Sequence, residues 1–159
     1  MTILTAARIT AADILALQAR VTTLESKVAI LNDLSHNATV ATSQTSTSTT
    51  FTDLATVGPT VTLTSAGTFA LVLFEAVMFN NTAATNGTVM GVAVSGATTI
   101  AAADVDTIKV TIGNAGVGER HAGFAVFPIT AGSNTYTAKY RCSAGTSAWQ
   151  DRKIYVFAP

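Results

Sequence analysis

The feature that most constrains the fold of this chain is a heptad repeat near its beginning. Within residues 11–34, apolar residues are spaced alternately by three and four positions, at Ile14, Leu17, Val21, Leu24, Val28 and Leu31. This spacing places β-branched residues at position a and leucine at position d of a coiled coil. Thr10 can cap the first turn, and Asp13 completes an approximate capping box. The sequence therefore predicts a short coiled-coil helix whose apolar stripe is covered by partner helices.

The number of helices in the coil is indicated by the residues beside the stripe. Arg20 falls at position g and Glu25 at position e, where an ion pair between neighbouring helices fixes partner and register. Together with Val21 and Leu24, they resemble the trimerisation motif of short parallel three-stranded coiled coils. β-Branched residues at a with leucine at d favour two strands instead, and an amphipathic helix packed on its own domain is a further alternative. Because the motif match is complete, we predict a trimer.

The rest of the chain changes to short β-rich segments separated by turn residues. The candidate strands are TVTLTS, FALVLFEAVMFN, GTVMGVAVSG, DTIKVTIG, HAGFAVFPIT, NTYTAKYRCS and RKIYVFAP. Strands with this spacing predict that residues 51–159 form an antiparallel β-sandwich or jelly-roll head. The Ser/Thr-rich residues 35–50 have no helical period and are interpreted as an extended connector or a first edge strand. Residues 1–10 are interpreted as an N-terminal arm.

The longest candidate strand is apolar on both faces. One face carries Phe69, Leu71, Leu73, Val77 and Phe79, and the other carries Ala70, Val72, Phe74, Ala76 and Met78. A strand backed by solvent alternates apolar and polar residues. Charged residues also make up only 11% of the chain, whereas ordinary soluble domains carry roughly 25%. Both observations predict that neighbouring subunits cover the second face, in agreement with a trimer.

Composition also disfavours several classes of partner. The formal net charge is zero, which removes the main electrostatic attraction to nucleic acid or to an anionic membrane. The longest apolar run is interrupted by Glu75 and is shorter than the roughly 20 residues of a spanning helix. We therefore expect neither a nucleic-acid partner nor membrane insertion. The chain shows no signal-peptide pattern, and its single cysteine, Cys142, fits production in a reducing cytoplasm.

Few residues suggest chemistry. His36 and His121 lack the spacing of a zinc site, and Asp104 and Asp106 are interpreted as part of a solvated turn rather than a calcium loop. Glu75 lies on an apolar strand and is expected to pair with a basic residue such as Arg141 or to stay protonated. The sequence thus predicts a protein that is not an enzyme and has no cofactor or metal.

One aromatic group is a candidate glycan contact. Trp149 lies in a predicted loop before the last strand, and Tyr136 and Tyr140 lie on the preceding strand. An exposed ring beside polar side chains can stack on a sugar, but a single Trp more often packs at the end of a sandwich. We favour packing and keep the glycan contact as the alternative.

The stretch TFTDLATVGPTVT and the final strand RKIYVF, together with the heptad helix, resemble small virion proteins of tailed phages infecting actinobacteria. The resemblance implies a trimeric virion surface protein made in the host bacterial cytoplasm. Its members include head-decoration, head-fibre and minor tail proteins. We favour a capsid decoration or head-fibre protein, with a tail-associated protein that recognises a host cell-wall glycan as the alternative.

The N-terminal arm is the predicted anchor to the particle. Its apolar residues Ile3, Leu4 and Ile9 are too irregular to extend the heptad. We therefore expect them to lie against the major capsid protein or a tail component. A cellular trimeric jelly roll of the tumour-necrosis-factor or C1q type is a third class, and the missing signal peptide and disulfides count against it.

Overall fold

The computed structural model describes residues 9–32, 36–82, 86–111 and 114–159. The chain divides into two compact units, Met1–Asp33 and Leu34–Pro159. In the described ranges the first unit contains one helix, and the second contains all the strands. Of the helical segments that the structure describes, none has the length and apolar character needed to cross a membrane.

Helix α1 spans Ala11–Asn32 and begins directly after its predicted cap. The backbone amide of Asp13 donates to Oγ1 of Thr10 at 3.2 Å, and the amide and hydroxyl of Thr10 donate to Oδ2 of Asp13. These hydrogen bonds from Thr10 lower the pKa of the Asp13 carboxyl. The predicted stripe is exposed on the isolated helix at Ile14, Leu17, Val21, Leu24 and Val28. The side chain of Leu31 lies outside the described residues.

In the part of the chain that the structure describes, nine strands form two antiparallel sheets. The strands are β1 (Asn37–Val40), β2 (Gln44–Ser46), β3 (Thr60–Ser65), β4 (Phe69–Asn80), β5 (Gly87–Gly96), β6 (Thr107–Thr111), β7 (Gly118–Pro128), β8 (Gly132–Cys142) and β9 (Ser147–Phe157). The first sheet has the order β1-β9-β4-β7, with β2 also paired to β9, and the second has the order β3-β8-β5-β6. The chain is therefore mainly β, with an N-terminal helix and a two-sheet sandwich, which confirms the predicted fold class.

The core lies between the two sheets and is built mainly from alternate residues of the strands, whereas β5 is buried at every position from Gly87 to Val92. On β4 the inward face is buried along the whole strand, and its outward face is not. The largest fully buried side chains are Trp149, Arg152, Tyr136, Tyr140, Phe74, Met78, Met90 and Ile154. Burial of alternate residues is what a strand with one face in a sandwich core requires.

The structure corrects the boundary of the head. The Ser/Thr-rich residues 35–50 are not a connector, because they contain β1 and β2, which pair with β9. The registers place Asn37 opposite Tyr155 and Gln44 opposite Trp149. The alternative of an edge strand is thus the correct one, and the sandwich begins well before residue 51. These strands are polar because they lie at the edge of the sheet, where little apolar area is buried.

Candidate assembly surface

The outward face of the first sheet carries a group of exposed or half-buried apolar side chains, which we call the assembly surface. Its members are Phe69, Leu71, Leu73, Phe124, Val126, Pro128, Tyr155 and Phe157. The most exposed are Phe124 at 70%, Val126 at 56% and Phe69 at 49% of their full accessible area. Contiguous apolar patches of this kind mark interaction sites on soluble proteins.

Strand register makes the assembly surface continuous. Leu73 on β4 lies opposite Phe124 on β7 and, on its other side, opposite Tyr155 on β9. Leu71 is flanked in the same way by Val126 and Phe157. Directly opposed residues on one face of an antiparallel pair have Cβ atoms about 5 Å apart. Three neighbouring strands therefore present one apolar area instead of scattered side chains.

A charged row crosses the same face next to these apolar residues. Oε1 of Glu75 on β4 lies 3.1 Å from NH1 of Arg120 on β7 and 3.4 Å from Nζ of Lys153 on β9. NH2 of Arg120 lies 3.8 Å from Oδ2 of Asp151. We call these four residues the charged row. It contains two anions and two cations, so the row is neutral as a group.

Glu75 pairs with basic residues, as one of the two sequence-based alternatives predicted, but the candidate named there, Arg141, is not one of them. Arg141 does not reach it, because Arg141 lies on β8 of the second sheet and pairs with Asp104 at 2.6 Å. Asp104 opens the short 3-10 turn Asp104–Asp106. In the described ranges, no three His, Cys, Asp or Glu side chains come together as a metal site would require.

The outward side of β3 and β8, in the second sheet, has the opposite character. Its strands β3 and β8 present threonines whose hydroxyls pair across the strands. Oγ1 of Thr62 lies 2.8 Å from Oγ1 of Thr135, and Oγ1 of Thr60 donates to Oγ1 of Thr137 at 3.3 Å. The threonine side of β3 and β8 can therefore face water, whereas the assembly surface exposes apolar side chains to it. The apolar cover predicted for both faces of β4 is supplied on only one face by the described residues of a single chain.

The structure contradicts the predicted glycan contact, because none of its three aromatic rings is exposed for stacking on a sugar. Trp149, Tyr136 and Tyr140 are all fully buried. Trp149 lies within β9 rather than in a loop, and its ring centroid is 5.3 Å from that of Tyr140. Burial raises the pKa of both tyrosine hydroxyls. These rings fill the space between the sheets, as the favoured packing interpretation predicted.

The remaining predicted site residues lie on the helix and in the arm. Arg20 and Glu25 both lie on α1, where every side chain that the structure describes is exposed. Ile9 is exposed to 77%, and Ile3 and Leu4 lie outside the described residues. Trimerisation through α1 and anchoring through the arm stay predictions.

Comparison with known proteins identifies a similar fold and no family. No protein-family model matches the chain, and no curated protein sequence matches it. The chain is similar to the VP2 subviral particle of infectious bursal disease virus, with a TM-score of 0.53 and 12% identity over 77% of this chain and 32% of VP2. A structure of the infectious bursal disease virus Gt strain gives a TM-score of 0.47 and 16% identity over 77% of this chain and 31% of that one. Eiger TNF from S. frugiperda gives a TM-score of 0.49 and 9% identity over 78% of this chain and 92% of that one. The chain thus spans about a third of the infectious bursal disease virus chains that it matches.

Proposed function

We propose that the protein is a non-enzymatic structural component of a virus particle and that it acts as a homotrimer. The observation that carries the proposal is the assembly surface, an apolar area on the outside of an otherwise complete sandwich. Such a surface is unfavourable in water at roughly 25 cal/mol for each Å² of exposed apolar area. Burying it against further copies of the same chain removes this cost.

A second copy is the occupant that the charges favour. The charged row is neutral as a group, and the whole chain has a formal net charge of zero. A strongly charged partner would gain nothing from such a surface. The exposed stripe of α1, with Arg20 and Glu25 beside it, is also suited to copies of itself. Two separate parts of the chain therefore point to self-association.

The virion role is supported by fold and by sequence resemblance. The sandwich is similar in fold to the VP2 subviral particle of infectious bursal disease virus. The heptad helix and the final strand resemble small virion proteins of tailed phages infecting actinobacteria. We therefore favour a capsid decoration or head-fibre protein that is displayed on the particle. Its partners would be the major capsid protein or a tail component, reached through the N-terminal arm.

Two measurements test this function. Sedimentation equilibrium of the full chain at micromolar concentration is expected to give about three times the protomer mass of 16.3 kDa. A monomer mass would contradict the assembly proposal. Immunogold labelling of particles of the phage that encodes the chain tests the location. Labelled capsids would support decoration, labelled tails would support the alternative of a tail-associated, glycan-recognising protein, and unlabelled particles would contradict a virion role.

A further inference from the structure

We propose that a groove on the outer side of the second sheet binds a neutral sugar. The groove lies between the segment that joins β2 to β3 and the segment that joins β5 to β6, and we call it the polar groove. It is lined by Thr49, Thr50, Phe51, Ala102, Ala103, Asp104 and Arg141. Its volume of about 430 Å³ lies within the range of roughly 300–1,000 Å³ that is typical of small-molecule sites. The inference does not depend on the trimer or on the place of the protein in a virion.

One wall of the polar groove is built by packing on a glycine of β5. The ring of Phe51 lies against Gly91, where an added Cβ would lie 3.3 Å from Cε1 of Phe51. The guanidinium carbon of Arg141 lies 5.4 Å from the centroid of the same ring. A cation over an aromatic face is attracted by the charge distribution of the ring. Both side chains are therefore held in place without a ligand.

The position of Arg141 is also fixed by its ion pair with Asp104. Nε and NH2 of Arg141 donate to the same oxygen, Oδ1 of Asp104, at 2.9 and 2.6 Å. The other carboxylate oxygen, Oδ2, takes no part in these two bonds. The side chain of Asp104 is 67% exposed, whereas that of Arg141 is 15% exposed. The carboxylate is therefore open to a ligand, and the guanidinium beneath it sets its orientation.

The charge of the polar groove indicates the class of ligand. Of the lining residues named above, Asp104 and Arg141 are charged, and they neutralise one another. A phosphate ion would meet the carboxylate and a metal ion would meet the guanidinium, so neither kind of ion is favoured. A sugar instead carries hydroxyl groups, which can donate to Oδ2 of Asp104 and bond with the hydroxyls of Thr49 and Thr50. Hydrogen bonds to a charged acceptor are roughly twice as strong as those between neutral groups.

The apolar groups of the polar groove suit the carbon-bound hydrogens of a sugar ring. The methyl groups of Ala102 and Ala103 and the ring of Phe51 line the groove beside its polar atoms. A small-molecule site commonly combines apolar walls with a few placed polar groups that fix the orientation of the ligand. The groove thus offers a contact for a sugar that the buried aromatic residues of the core cannot make.

The test is a nuclear magnetic resonance titration of the ¹⁵N-labelled full chain with the methyl glycosides of glucose, galactose, mannose and N-acetylglucosamine. We expect at least one glycoside to shift the amide signals of Phe51, Ala103 and Asp104 at millimolar concentration. Asp104→Asn keeps the shape of the side chain and removes its charge, so it should weaken this binding at least about tenfold. Asp106→Asn lies on the same short turn but does not line the groove, and this matched control should bind like the wild type.

A second pair of variants tests the groove without breaking its ion pair. Ala103→Leu fills the groove and leaves Asp104 and Arg141 unchanged, whereas Ala101→Leu places the same side chain at a nearby exposed position outside the groove. We expect Ala103→Leu to abolish the shifts and Ala101→Leu to leave them as in the wild type. Far-ultraviolet circular dichroism of each variant checks that the sandwich is still folded.

The outcomes separate this inference from the proposed function. The inference would be overturned if none of the glycosides shifted these signals, or if Asp104→Asn and Ala103→Leu bound as the wild type does. Signals that responded only to sodium phosphate or calcium chloride would also overturn it, because the groove would then be an ion site. A monomeric wild type that binds a glycoside would contradict the proposed trimer and support the inference, and a trimer that binds none of them would do the reverse.

Discussion

The guanidinium of Arg152 donates a hydrogen bond to Oε1 of Gln44 at 2.9 Å, joining the last strand to the Ser/Thr-rich segment. Arg152 is fully buried. Its other acceptors are the backbone carbonyls of Thr42 at 3.3 Å and Gly58 at 3.4 Å, and its guanidinium carbon lies 5.3 Å from the ring centroid of Tyr140. Its hydrogen-bond acceptors in the described part of the chain are thus uncharged. A buried cation held in this way depends strongly on each acceptor.

Replacing Gln44 with Met should therefore destabilise the sandwich. The substitution removes the side-chain acceptor of Arg152 and also the hydrogen bonds that Gln44 makes with Thr56. We expect the free energy of unfolding to fall by about 2 kcal/mol. Unfolding of the wild type and the variant in guanidinium chloride, at the same protein concentration, measures this difference in the free energy of unfolding. Thr45→Ala, at the exposed neighbouring position, is the control and should stay within about 0.5 kcal/mol of the wild type. Equal stability of both variants would contradict the role of Gln44.

The thiol of Cys142 should react with an aromatic disulfide reagent only when the edge of the sheet opens. Cys142 is fully buried, and its Sγ lies 3.3 Å from the carbonyl oxygen of Ser48. Burial raises the pKa of the thiol, so less thiolate is present at a given pH than in an unfolded chain. We expect labelling at pH 8 to be at least about 100-fold slower in the native protein than in denaturant. Gln44→Met should accelerate it by loosening β2. Rapid labelling of the native protein would show that this edge does not protect Cys142.

Much of the sandwich could be predicted because local pattern and burial agree. The strands β3, β4 and β5 were predicted with the bounds that the structure shows. Each is rich in β-branched or apolar residues and ends near Gly, Ser or Asn. The two polar strands β1 and β2 carry no such pattern. They form strands because they pair with β9, and the local sequence of residues 35–50 does not show which strand they would pair with.

The assembly surface could be predicted only in part for a similar reason. The apolar residues on both faces of β4 indicated that it needs cover on two sides. That Phe124 of β7 and Tyr155 of β9 extend this area depends on which strands are neighbours. The same holds for Glu75, because its real partners lie on adjacent strands and Arg141 lies on the other sheet. The sequence pattern shows which face of a single strand is apolar. Which strands lie side by side, and so which side chains form one surface, depends on the sheet topology.

Leu24→Asp should remove the helix from the assembly without unfolding the sandwich. Leu24 occupies position d of the heptad and is exposed on the isolated helix. In a coiled coil the new carboxylate would be buried between helices without a partner. A helix of this length is marginal alone, so we expect the helical circular dichroism to fall and the trimer to weaken. Ser26→Asp, at the outer position f, is the control. Unchanged helicity and mass in the Leu24 variant would contradict the coiled-coil prediction.

Phe124→Asp should abolish assembly through the β unit and leave the fold of each chain intact. The side chain is 70% exposed in a single chain, so it contributes little to the core, and a surface change of this kind typically alters stability by about 0.5 kcal/mol or less. In the proposed trimer the same position becomes buried beside Leu73, its partner in the β4–β7 register. A carboxylate there would lie in an apolar contact without a cation to pair with, which is strongly unfavourable.

The measurement is the mass of the full chain by sedimentation equilibrium, with far-ultraviolet circular dichroism to verify the fold. We expect Phe124→Asp to shift the trimer to smaller species at micromolar concentration. Val105→Asp is the matched control, because Val105 is 88% exposed on the turn Asp104–Asp106 and lies outside the assembly surface. It introduces the same charge and should remain trimeric. If both variants kept the wild-type mass, the apolar face of the first sheet would not be the contact between subunits, and α1 alone would have to hold the chains together.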